Sequence, residues 1–225
     1  MNIPFTTEQF FEVFARYNDS VWPMQVILYL LALAAVALLV RPGSMQSRMI
    51  SAVLAFLWAW MAIAYQFAFF TEINPASWLF GMLFALGALL FGRVGILKGK
   101  LQFRRGDRTR LWVGSSLIAF GLVVYPLLGY SFGQRYPRVP TFGLPCPTTI
   151  FTIGLLLFLN PPVPKSVFLV PLIWAAVGSI AAIQLGVFQD LGLLVAGLVG
   201  LSSVISCLQK ANPRCDTGAL QVSRR

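Results

Sequence analysis

The sequence predicts an all-α, polytopic membrane helix bundle: seven transmembrane helices preceded by a short N-terminal interfacial helix. Three observations predict it. Of the 225 residues, 58% are apolar and only 11% charged, where a soluble domain carries about a quarter charged residues to keep its surface wet. Mean hydropathy is +0.78. The apolar residues fall in repeated runs close to the ~20 residues that a helix needs to cross a bilayer. All seven acidic residues, and nearly all seventeen basic ones, lie between those runs.

Taken in order, residues 1–20 read as an outer amphipathic segment. Thr6 and Gln9 fit a capping box. Phe10, Val13, Phe14 and Tyr17 share one helical face while Glu8, Glu12 and Arg16 occupy another. Residues 6–18 therefore form a helix, either in the outer interface or folded over the bundle mouth. Residues 21–208 form the bundle. Its first span is 21–40, started through Trp22-Pro23, where a first-turn proline costs little, and stopped by Arg41-Pro42-Gly43. The second is about 50–70, followed by a tight turn at Asn74-Pro75. The third is 77–96, and the fourth is 111–130 after a basic loop. The fifth, 148–159, is twelve residues long before Asn160-Pro161-Pro162. It must extend through 143–147, tilt, or be re-entrant. The sixth is 167–186 and the seventh 191–208. Residues 209–225 read as a disordered cytoplasmic tail.

Orientation follows from where the cations lie. With seven spans and the N-terminus outside, fourteen basic residues fall in cytoplasmic segments and three outside: Arg16, Arg135 and Arg138. That asymmetry is what the positive-inside rule asks for. It also accounts for the net charge of +10 without nucleic acid, since no basic segment has the interleaved aromatics of a base-stacking surface. The lipid bilayer is the implied partner. A cleavable signal peptide is not expected, because acidic residues precede the first apolar core.

The composition also narrows the chemistry. There is no histidine, so imidazole bases, histidine metal sites and Ser-His-Asp catalysis are excluded. Cys146, Cys207 and Cys215 make neither a C-x-x-C pair nor a disulfide framework. No catalytic residue, metal site or cofactor is indicated.

Close approach of helices in lipid depends on small residues. Gly178, Ala182 and Gly186 on the sixth span, and Gly192, Ala196 and Gly200 on the seventh, are spaced by four. The short connection between these spans predicts that the two stripes face each other. Ser51, Ala55 and Ala59 with Ser77, Gly81 and Ala85 repeat the device on the second and third spans. A homo-oligomer is the other use of such stripes.

The most suggestive stretch is Gly143-Leu144-Pro145-Cys146-Pro147-Thr148-Thr149-Ile150-Phe151-Thr152. Pro147 suits the first helical position, which puts Cys146 at the cap, where free N–H groups favour anions or a thiolate. Thr148 and Thr152 would share a polar stripe; the bland alternative has these hydroxyls bonding to their own helix. Tyr65, Gln66, Glu72 and Asn74 gather at the same outer side. Gln66 is most simply glue between helices, and Glu72 a partner of Arg135 or Arg138.

The strings Pro4-Phe5-Thr6-x-Glu8-Gln9-Phe10, Tyr17-Asn18-x3-Trp22-Pro23, Asn74-Pro75-Ala76-x3-Phe80-Gly81 and Pro145-Cys146-Pro147-Thr148-Thr149-Ile150-Phe151-Thr152 resemble an uncharacterised family, a domain of unknown function, of bacterial multi-span inner-membrane proteins. The resemblance implies a bacterial inner membrane and carries no established activity. The expected function is a permease or channel for an unknown small solute. Its site would open to the periplasm and use Cys146, Thr148, Thr149, Thr152, Tyr65, Gln66, Glu72 and Asn74. The alternative is a non-catalytic sensor or assembly factor that binds a ligand or partner at its outer face.

Overall fold

The computed structural model describes residues 4–41, 43–104 and 106–211, with side chains through residue 206. The tail expected over 209–225 lies outside the described residues beyond 211, as do Pro42 and the side chains of Cys207 and Cys215. The fold is all-helical, with no strand among the described residues.

Helix α1, Thr7–Val21, starts on the expected capping box: Gln9 N–H donates to Thr6 Oγ1 at 3.2 Å, and Thr6 N–H to Gln9 Oε1 at 2.8 Å. At Trp22-Pro23 the chain bends by 87° into α2, Met24–Leu38. Val21 thus ends α1 instead of opening a span. Helix α1 folds back onto the helices that follow it. Val13, Phe14 and Tyr17 are buried against Tyr65, Phe70 and Leu144.

Helix α3, Ser44–Trp60, continues as a π-helix over Met61–Phe67. Helix α4, Ser77–Leu90, does the same over Phe91–Leu97. Helix α5, Arg108–Ala119, is capped by Asp107, whose Oδ1 accepts from Arg110 N–H at 2.9 Å. It passes through a π segment, Phe120–Val124, into α6, Tyr125–Ser131. Next come α7, Pro145–Leu156, α8, Ser166–Leu185, and α9, Leu191–Ala211. Gly186, in the left-handed region at φ 68°, ends α8, a position that glycine takes without strain.

Five of these rods are long and apolar enough to cross a membrane, and six if the bent α1–α2 pair counts as one. The remaining candidate is α7. At twelve residues it is about 18 Å long, against a hydrocarbon core of about 30 Å. Every residue in it except Cys146 is buried. It runs through the middle of the bundle, packed on α5, α8, α9 and the 120–124 segment. Beyond its C-terminal end, Leu159 pairs with Phe103, and Arg104 N–H donates to the Phe158 carbonyl at 2.8 Å. Its N-terminal end meets the loop that precedes it, where Gly143 N–H donates to Thr148 Oγ1 at 3.1 Å. The helix therefore joins the two ends of the bundle while wrapped in protein.

The small-residue stripes are used differently from the simple face-to-face expectation. On α9, Gly197 lies against Ala175 of α8, and Gly200 against Leu172 and Ile153, while Gly192 faces Phe120 of the fourth rod. Because α3 and α4 run antiparallel, Ser51 faces Gly95 and Phe67 faces Gly81. Close backbone approach occurs between α7 and the rod that holds α5 and the 120–124 segment. A Cβ on Gly154 would lie 3.0 Å from the Gly114 carbonyl oxygen, and one on Gly121 2.8 Å from that of Pro147.

Candidate functional site

Helix α1 is held across the mouth by polar ties. Arg16 pairs with Glu72, and Arg138 donates to Glu8 at 2.7 Å and Glu12 at 3.0 Å. Glu72 therefore meets Arg16, not the expected Arg135 or Arg138. Buried Asn18 donates to the carbonyls of Pro137 and Val139 at 2.6 and 2.9 Å, and Thr141 donates back to it at 2.7 Å. Trp60 Nε1 donates to Tyr17 Oη at 2.7 Å.

Beneath this cover lies a cavity of about 240 Å³. Its wall is apolar, with aromatic rings contributed by Phe10 and Phe14 from α1, Tyr65 and Phe70, Phe80 from α4, and Trp174 from α8. The polar end combines Asp190, Tyr125 and Cys146. Tyr125 Oη donates to Asp190 Oδ1, and the Cys146 thiol sits beside the same carboxyl. Asp190 is only 4% exposed. Trp174 lies within reach of this group, yet its indole N–H has no well-formed acceptor. Tyr65 and the start of α6 are supplied by rods that contain π segments, and extra-residue turns of this kind recur where helices carry function.

The floor is closed. From the cavity inward, Phe80 stacks edge-on to Trp174 at 5.3 Å, Trp174 to Phe84 at 4.7 Å, and Phe84 to Trp58 at 5.3 Å. Phe84, Trp58 and Phe91 are fully buried. The rim is different. Ala76 at the start of α4, and Ile180 and Gln184 on the C-terminal half of α8, are exposed as well as lining the space.

Of the eight residues picked from sequence, Tyr65, Asn74 and Cys146 border this cavity. Asn74 also shapes its own turn, with Oδ1 accepting from Ala76 N–H at 3.1 Å. Cys146 lies within the first turn of α7, not at its cap, because the helix begins at Pro145. Thr148, Thr149 and Thr152 are fully buried outside the cavity wall. Thr152 donates to the Thr148 carbonyl at 2.7 Å and accepts from Trp58 Nε1 at 3.2 Å. Gln66 is buried at a helix contact, where Ser77 Oγ donates to its carbonyl at 2.8 Å. Glu72 is on the surface with Arg16.

Sequence reasoning passed over Asp190, Tyr125 and Trp174. Asp190, in the short connection expected between the sixth and seventh spans, is buried in a one-turn 3₁₀ segment, Phe188–Asp190, that leads straight into α9. The available signals were weak: a carboxylate directly preceding an apolar run, and a tyrosine beside Pro126 late in a span.

No curated protein and no solved structure matches the chain. Residues 7–213 match a family of unknown function, DUF6064. With nearly its whole length inside that match, the chain belongs to the DUF6064 family.

Proposed function

We propose that this is a seven-span protein of the bacterial inner membrane, N-terminus outside and C-terminus in the cytoplasm, that binds a small, largely apolar ligand in its outer cavity. It serves as a membrane sensor or assembly factor. The observation that carries this reading is the form of the cavity: apolar walls, one polar end, and a floor sealed by stacked aromatics. Ligand sites of this kind are concave and mostly apolar, with a few polar groups that fix orientation. A conducting pore would instead need a hydrated or polar path, which the Trp58–Phe84–Trp174 stack interrupts.

The crossings and their direction rest on the cation asymmetry and on the rods of membrane-spanning length. A permease is the second reading. It is favoured by Thr149 Oγ1 and Gln66 Nε2, both buried without a partner, because a moving solute could satisfy such groups.

The test uses proteoliposomes carrying a Cys207→Ser/Cys215→Ser background. N-ethylmaleimide should alkylate Cys146, and saturating 2-phenylethanol or 2-phenylethylamine should protect it. A thiol that stays inert, or whose labelling neither compound slows, contradicts the binding reading. Protection together with flux of either compound through the protein would favour the permease.

A further inference from the structure

Among the described residues, the acids fall into three settings, and in the first of them Asp19 is exposed beside Tyr136. Glu8, Glu12, Glu72 and Asp107 each meet an arginine at the surface. Asp190, the buried one, meets a phenol and a thiol instead. Among the described residues that line the cavity, none is basic. A carboxyl held away from water in this way calls for donors or a positive charge; Tyr125 and Cys146 supply the donors, and the described lining adds no cation.

The rest of the wall answers the same need. Aromatic rings present a negative face, and rings grouped around a space favour a cation over a neutral group. Phe10, Phe14, Tyr65, Phe70, Phe80 and Trp174 all border the space that contains Asp190. In a chain of net charge +10, an apolar hollow that holds several rings and a carboxyl but no described basic residue stands apart from its surroundings. An anionic or strongly hydrated guest would gain nothing there. A guest with an apolar body and a positively charged end matches both parts.

We infer that the cavity selects an organic ammonium, a protonated amine on an apolar body, with the charge held by Asp190 and the ring faces. The exposed rim between the start of α4 and the C-terminal half of α8 lets such a molecule enter with its apolar part still in lipid. This inference rests on the binding role proposed above. The same ammonium chemistry is carried by a free amine and by an ethanolamine lipid head group.

The experiment is calorimetric titration of the full-length protein in nanodiscs of phosphatidylglycerol at neutral pH. The probes are 2-phenylethylamine and 2-phenylethanol, which are similar in size and differ in charge. The amine should bind about tenfold or more tightly than the alcohol, the scale of a charge-assisted hydrogen bond. Asp190→Asn should bring the two within about threefold of each other. The comparison in the unaltered protein needs no variant, so a poorly folding Asp190→Asn leaves the test intact. Equal affinities would overturn ammonium selection while leaving cavity binding in place, and binding of neither would overturn both. Repeating the titration with phosphatidylethanolamine in the discs separates the sources. A weakened amine affinity identifies the lipid head group as occupant, and an unchanged one a free amine.

Discussion

Asn18 shows how much one side chain does at the mouth of this bundle. Its amide donates to two loop carbonyls and accepts from Thr141, and its own carbonyl accepts from Gln25 at 2.7 Å. Removing it strands several groups where water cannot replace it, and a buried unsatisfied group costs about 1–3 kcal/mol. Asn18→Ala should therefore lower stability by roughly 2–4 kcal/mol, read as a drop in melting temperature in detergent. Ser131→Ala, which removes an exposed hydroxyl that bonds its own helix, should change it little. At this scale the sequence was legible where chemistry and chain position coincide. Cys146, Tyr65 and Asn74 stand out as polar groups at outer helix ends, and they border the cavity. Thr148 and Thr152 were legible as a stripe, but spacing does not say which neighbour the stripe meets. It meets Trp58 and the backbone. Asp190 directly precedes the expected seventh span at 191, and its burial depends on α6 and α7 arriving from elsewhere in the chain.

Among the elements, α7 meets α5 and the 120–124 segment backbone to backbone at Gly114, Gly121 and Gly154. Small residues are what allow this where apolar burial drives little association. Gly154→Leu should destabilise the protein by about 3 kcal/mol through overpacking. Gly92→Ala, whose Cβ would meet nothing within 4 Å, should be close to neutral; thermal unfolding of the pair checks both. The glycine spacing on α8 and α9 drew attention to a real packing pair, but a four-residue stripe has several possible neighbours, and Gly192 turned out to face Phe120. The three π segments left no mark in the sequence, since each lies in an ordinary apolar run without proline. The short length of α7 was plain from its flanking prolines, and its central position was not.

For the whole molecule, charge sorts the two ends. Arg16 and Arg138 are tied to the acidic residues of the α1 end. Arg110 and Lys165 border a crevice beside the C-terminal end of α7. A fluorescent reporter fused after residue 225 should be bright in the cytoplasm, and an alkaline phosphatase fused there should be inactive; the reverse pattern would invert the proposed topology. The sheathing of α7 bears on how the chain is made. On the proposed membrane reading, a twelve-residue helix enclosed by protein gains little by partitioning alone into a bilayer. Two of the helices that enclose it, α8 and α9, leave the ribosome after it. On that reading, biogenesis holds this segment in a sheltered, half-finished state until its C-terminal neighbours arrive, which makes the last quarter of the polypeptide a condition for inserting the middle.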